Sequence, residues 1–194
     1  MLKTSLITLI LFAICLNVNG QTLGLKDALG KKDTVLAAAL ISKGADPNTL
    51  DENGSSLLMQ AARWGEVQTV GFLLRHGAKA DQPRTSKGRT ALIVGCAYYG
   101  TTEVCRLLLN NGANANATTT DGTTALMYAA QYWKADIVAL LLKSGADAKM
   151  KDAKGRTAID YANMNSVDDA IKQMLKDFKV DKNAVLTMLE HSMK

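Results

Sequence analysis

The side chains able to do chemistry are few and scattered. Three cysteines and two histidines stand among 194 residues, too few for a zinc framework. His76 directly precedes Gly77, a helix-ending pair, and a polar or positive side chain there is favoured by the helix dipole. His191 lies in the C-terminal tail, and Asp168-Asp169 open a predicted helix, where the same dipole stabilises carboxylates without any acid–base role. No phosphate-binding loop and no dinucleotide-binding glycine pattern occurs. These residues assemble no nucleophile–base pair and no ligand set, so the expectation is a protein without catalytic residues, metal or cofactor. The covalent chemistry that remains belongs to Cys96 and Cys105. They read either as two buried thiols acting as small hydrophobes or as a disulfide closing a loop of about ten residues, contributing on the order of 2–3 kcal/mol.

Recognition chemistry is better represented. The chain has 2 Trp, 5 Tyr and 3 Phe, and half of these ten rings fall in one register. Trp64, Tyr98 and Tyr132 stand 34 residues apart, with Tyr99 and Trp133 beside two of them and Arg63 and Gln131 flanking. Trp, Tyr and Arg dominate binding hot spots, and Tyr and Trp offer large contact area at low entropic cost.

The elements that position these rings recur with the same period. Gly54, Gly88, Gly122 and Gly155 are spaced 34, 34 and 33; Gly44, Gly77, Gly112 and Gly145 are spaced 33, 35 and 33, each followed by Ala. Each unit reads as a turn glycine, an N-cap (Ser56, Thr90, Thr124, Thr157), and a first helix with small residues such as Ala61-Ala62 and Ala129-Ala130. A Leu-rich second helix follows and stops at the Gly-Ala pair. No unit can bury both helices alone, which predicts an all-α solenoid of stacked helix–turn–helix units. In this register Cys96 and Cys105 occupy inward positions of the paired helices of one unit, and that unit carries one extra residue near Gly100-Thr101-Thr102.

The pattern resembles the ankyrin repeat. It is carried by G-x-T-x-L at Gly88-Thr90-Leu92 and Gly122-Thr124-Leu126, the Ala-Ala pairs, the Leu runs, and the endings Gly44-Ala45-Asp46, Gly112-Ala113-Asn114 and Gly145-Ala146-Asp147. The resemblance spans roughly residues 23–176. Departures stand where the family has its T-P-L-H proline (Leu57, Ala91, Ala125, Ala158) and histidine (Met59, Ile93, Met127, Asp160), so the hydrogen bonds of that histidine are expected to be missing. The implied division is a degenerate capping repeat at 21–50, repeats at 51–84, 85–118 and 119–151, and a partial repeat with a capping helix at 152–194. Asp181 is that helix's N-cap candidate. The resemblance also implies hairpin-like tips that line, with the ends of the first helices, a concave partner-binding face. The matching tip positions are Asn53, Ser55, Lys87, Arg89, Asp121, Thr123, Lys154 and Arg156. The rings Trp64, Tyr98 and Tyr132 are expected to form a ladder along that face with rungs roughly 8–10 Å apart.

Residues 1–20 read as an address. Lys3 precedes a twelve-residue uncharged run, Ser5 to Leu16, shorter than the roughly 20 residues a membrane span needs and suited to a signal-peptide core. Cleavage is expected before Gln21, with export to a bacterial periplasm first and an extracellular destination second. The net charge is +5, with 23 basic and 18 acidic residues interspersed and no basic block, which argues against a nucleic-acid binder. The expectation is a monomeric, non-enzymatic module that binds another exported protein as scaffold, accessory or inhibitor. The rivals are a glycan or small-ligand binder using the aromatic ladder, and an antitoxin-like neutraliser. Asn53-Gly54-Ser55 and Asn116-Ala117-Thr118 also match the N-glycosylation acceptor pattern.

Overall fold

The structure, a computed structural model, describes residues 18–81, 86–164 and 182–193. Residues 1–17 of the expected signal, Asp168-Asp169 and Asp181 lie outside the described residues. The described residues hold ten helices: α1 (Val18–Gly30), α2 (Thr34–Ser42), α3 (Leu57–Arg63), α4 (Val67–Arg75), α5 (Ala91–Ala97), α6 (Thr102–Asn110), α7 (Ala125–Gln131), α8 (Ala135–Lys143), α9 (Ala158–Met164) and α10 (Lys182–Ser192). Among them no strand forms, only isolated bridges at Leu50–Ser56 and Thr118–Thr124 that close hairpin-like tips. The helix α1 runs through the expected cleavage point before Gln21.

Local chemistry fixes where each helix begins. Ser56, Thr90 and Thr124 adopt extended backbone and accept the third helical N–H of α3, α5 and α7 at 3.1, 3.3 and 3.2 Å. Thr101 does the same for Val104 on α6 at 3.3 Å. At two of the positions where the family's histidine was expected to be missed, the substitute forms its own bond to the capping threonine. The Met127 sulfur accepts the Thr124 N–H at 3.5 Å, and the Asp160 carboxylate accepts both the N–H and the hydroxyl of Thr157 at 2.7 Å. Those bonds hold the Asp160 carboxyl below its usual range.

The second helices end alike. Gly77 sits at φ 89° after α4; its N–H reaches Leu74 O at 3.3 Å and the Ala78 N–H reaches Leu73 O at 2.9 Å. This paired closure needs a left-handed residue, which glycine supplies without a Cβ clash. His76 occupies the preceding cap, its Nδ1 2.9 Å from Phe72 O and its ring stacked on Phe72.

Packing proceeds along two rows. The first helices α3, α5, α7 and α9 contact their successors, and so do the second helices α4, α6 and α8. Ala61, Ala62, Ala129 and Ala130 are buried and let the first helices approach. Leu58, Leu73, Leu92, Leu108, Leu126 and Leu141 fill the space between rows and are fully buried, each worth roughly 1.5–3 kcal/mol of burial. At the ends, α1 packs on α2 through Leu25 and Leu40, and α10 packs on both α8 and α9 through Val185 and Leu189.

Neighbouring units are also stitched by backbone-directed amides. Asn48 donates to Gly77 O at 3.1 Å and accepts the Lys79 N–H at 2.8 Å; Asn116 repeats this with Gly145 O at 2.9 Å and the Asp147 N–H at 2.8 Å. Both polar ends of the half-buried Asn116 amide are therefore engaged between neighbouring units, which sets it against the acceptor pattern it matches. Among the described residues, no helix is long and apolar enough to cross a membrane.

Candidate functional site

The tips hold their shape through short polar side chains turned back on their own loops. Asp51 accepts the N–H groups of Asn53 and Ser55, both at 2.9 Å, and Asp152 accepts those of Lys154 and Arg156, both at 2.9 Å. Thr119 takes the equivalent place in the fourth unit, accepting the Thr123 N–H at 2.9 Å and donating to Asp121. That hydrogen bond keeps the Asp121 carboxyl below its usual range. These are side-chain-closed turns. The 51, 119 and 152 positions recur at the repeat period, so turn chemistry could have revealed them in the sequence.

The tip residues do not all face the same way. Asn53, Lys87, Asp121 and Lys154 are exposed, and Ser55, Arg89 and Arg156 are half-buried. Thr123 is buried, with its hydroxyl 3.2 Å from that of Tyr161, and offers nothing to a partner. Arg156 pairs with Asp152, and Tyr161 donates to the same carboxylate at 2.9 Å. Burial would raise the Asp152 carboxyl, but the Arg156 guanidinium, the Tyr161 hydroxyl and the two loop N–H groups outweigh it and hold the carboxyl far below its usual range.

The aromatic register is rearranged by the connection between helices. In the second and fourth units three residues join the helices, and the middle one is left-handed: Gly65 at φ 69° and Trp133 at φ 50°. In the third unit four residues, 98–101, make the same connection, as the extra residue near Gly100 foreshadowed. The widened turn carries Tyr99 over its neighbour, and the Tyr99 N–H bonds Arg63 O at 3.0 Å. The Tyr99 ring lies parallel to Trp64, centroids 5.4 Å apart and planes within 3°. The evenly spaced ladder of Trp64, Tyr98 and Tyr132 is thus replaced by a Trp64–Tyr99 stack. A side chain at residue 65 would place Cβ 2.6 Å from Tyr99 O, so the approach requires glycine there.

The two stacked rings are the most exposed aromatics of the described residues, Trp64 at 61% and Tyr99 at 69%. Tyr132 is 46% exposed. Tyr98 is half-buried, with the Arg63 guanidinium 4.4 Å from its ring centroid and its hydroxyl accepting from Arg89 Nη1 at 2.9 Å. Trp133 departs from the expectation: it is buried, and its indole N–H donates to Ala162 O at 3.0 Å, tying the α7–α8 connection to α9. Gln131 is half-buried beside it in sequence. The carbonyl that the widened turn leaves at Tyr98 is taken by the Lys134 ammonium, which burial holds below its usual pKa. Lys134 was not evident as a structural residue from the sequence.

Beside the stack opens a cavity of about 480 Å³, lined among others by Met59, Arg63, Trp64, Lys87, Arg89 and Tyr98. Cys96 on α5 and Cys105 on α6 are both fully buried free thiols with sulfurs 3.6 Å apart. Their mutual hydrogen bond and burial push the Cys96 thiol up. Among the described residues, no group of three or more His, Cys, Asp or Glu side chains could hold a metal ion.

Similar chains share this architecture. A family model for ankyrin repeats in three copies matches residues 25–119 and 93–185. An ankyrin repeat-containing protein of Treponema pallidum (strain Nichols) is 34% identical over 120 residues, covering 57% of this chain and 40% of that protein. Zygote-specific protein 3 of Chlamydomonas reinhardtii is 36% identical over 100 residues, 52% of this chain and 26% of that protein. The E3 ubiquitin-protein ligase hecd-1 of Caenorhabditis elegans is 34% identical over 101 residues, 52% of this chain but 4% of that protein. The chain thus spans less than half the length of each of these relatives, and the shared part is the repeat. With its capped helix pairs, Gly-Ala endings and laterally bonded tips, the chain belongs to the ankyrin-repeat family.

Proposed function

We propose that this chain is a non-enzymatic adaptor that binds a partner protein on the face formed by its hairpin tips and the C-terminal ends of its first helices. Ankyrin repeats are protein–protein interaction modules. The observation that carries the placement is the Trp64–Tyr99 stack: two large rings, parallel and mutually supported, left exposed in a protein with few aromatics. Rings held in place in this way present contact area whose ordering cost has already been met. Tyr132 and Arg63 extend the same face. The reading as a glycan platform is less well supported, because Trp64 and Tyr99 turn one face each toward the other and so offer no pair of separated rungs. We take residues 1–20 to be a signal peptide and the partner to be an exported protein, as scaffold, target or accessory. Amino-terminal sequencing of the native protein checks this: it should begin at Gln21.

Photo-cross-linking tests the binding face. Benzoylphenylalanine replacing Tyr132 should capture one stoichiometric partner in the native extract. The same group replacing Arg106, which is exposed on α6, should not. Equal capture from both positions would refute the placement.

A further inference from the structure

The cavity beside the aromatic stack has a marked charge imbalance. Among the described residues, four cationic side chains line it, Lys26 from α1, Arg63 from the end of α3, and Lys87 and Arg89 from the third tip, against one carboxylate, Asp51. Asp51 is already committed: one oxygen closes its own turn through two N–H bonds at 2.9 Å, and the other accepts from Gln60 at 3.2 Å. No ion pair forms at Arg63, Lys87 or Lys26 among the described residues. Two of the cations are pre-oriented. Arg63 lies over the Tyr98 ring at 4.4 Å and beside Trp64 at 5.8 Å, and Arg89 is tied to the Tyr98 hydroxyl at 2.9 Å. A guanidinium stacked on a ring keeps its edge N–H groups for a planar carboxylate. The floor also holds the apolar Met59 and Val94.

We propose that this notch receives an acidic segment of the partner protein, its carboxylates on Arg63 and Lys87 and an adjacent apolar side chain on the Trp64–Tyr98 wall. The inference rests on the partner-binding reading and narrows it to one chemistry. It follows from charge complementarity: a groove with a surplus of three positive side chains repels basic segments and gains most from Asp or Glu. The surrounding aromatic wall favours a carboxylate carried on a peptide over a bare inorganic anion, because only the peptide also covers the rings.

The test uses the full chain as bait for a random-peptide display library. The expected result is severalfold enrichment of Asp and Glu together with apolar residues. A selected peptide should weaken about tenfold with Arg63→Gln or Lys87→Gln, roughly 1.4 kcal/mol, and lose most of its affinity in 1 M salt, where the screening length is about 3 Å. Both residues are exposed, and unchanged helical melts of the variants would show that folding is intact. The inference is overturned if the selected peptides are neutral or basic, if acidic enrichment persists unchanged with Arg63→Gln/Lys87→Gln, if inorganic phosphate at matched ionic strength displaces the peptide, or if no peptide is enriched. A partner captured from position 132 in the presence of any of these results would leave the broader reading standing. Failure of capture as well would remove both.

Discussion

At the scale of single residues, exposure and partnership separate side chains that look equivalent in the sequence. Trp64 and Trp133 both follow the end of a first helix, yet Trp64 is 61% exposed and Trp133 is buried with its indole N–H bonded. Trp133→Ala should therefore cost about 3–5 kcal/mol, read as a large drop in the denaturant midpoint. Trp64→Ala should cost about 1 kcal/mol or less in the same titration. Asp152 provides a pH signature. Its folded-state pKa is depressed, so its contribution to stability is fully present above the unfolded value of about 3.9. It is lost progressively as pH falls below that value toward the folded one. Asp152→Asn should lower the melting temperature by several degrees at neutral pH, and the gap from the wild type should shrink as melts are repeated below about pH 4. The Cys96 and Cys105 sulfurs stand 3.6 Å apart, in non-bonded contact, and must close by about 1.6 Å to reach the roughly 2 Å of a disulfide. We expect a bridge in the oxidised protein, and counting thiols by mass after denaturation checks it: none free is expected, and two free thiols would exclude it.

At the scale of elements, the repeat was legible because its signals are local. Caps, helix-ending glycines and inward leucines each sit where the next unit repeats them, and the same residues make the observed bonds at Ser56, Thr90, Thr124 and Gly77. The aromatic arrangement was not legible in full. Spacing aligned Tyr98 with Trp64, whereas the four-residue connection at 98–101 delivers Tyr99 to that ring. The extra residue was visible; where it would send two adjacent tyrosines depended on contacts across units, including the Lys134 ammonium at Tyr98 O and the Tyr99 N–H at Arg63 O. The burial of Trp133 was hidden for a similar reason, since its left-handed backbone at φ 50° turns it into the stack where Gly65 has no side chain to turn. Gly65→Ala tests this element directly. It should destabilise by at least roughly 1–2 kcal/mol from backbone strain alone, because the new Cβ also meets Tyr99 O at 2.6 Å. Loss of the Trp64 near-ultraviolet dichroism should accompany it.

At the scale of the whole molecule, a solenoid has neighbour-to-neighbour stability and needs covered ends. The helix α10 covers α8 and α9 with Val185 and Leu189, both fully buried. Terminating the chain before Lys182 should lower the melting temperature and promote self-association, measured by light scattering. Between the covered ends, the lateral bonds of Asn48 and Asn116 and the tip-to-tip bonds of Thr120 to Lys87 and Ala153 to Asp121 hold successive units in register. The face we propose for binding is consequently held in register by these bonds, with the Trp64 and Tyr99 rings stacked on it.

We propose that this face holds the partner through the Trp64–Tyr99 stack. The Kd of the captured partner should be measured for the wild type, Trp64→Ala, Tyr99→Ala and a control variant at the exposed α6 residue, Arg106→Ala. Each ring variant should weaken binding by at least about tenfold, near 1.4 kcal/mol, with little loss of stability, and the control should bind as the wild type does. Unchanged affinity in both ring variants, or a loss matched by Arg106→Ala, would exclude the stack as the binding site.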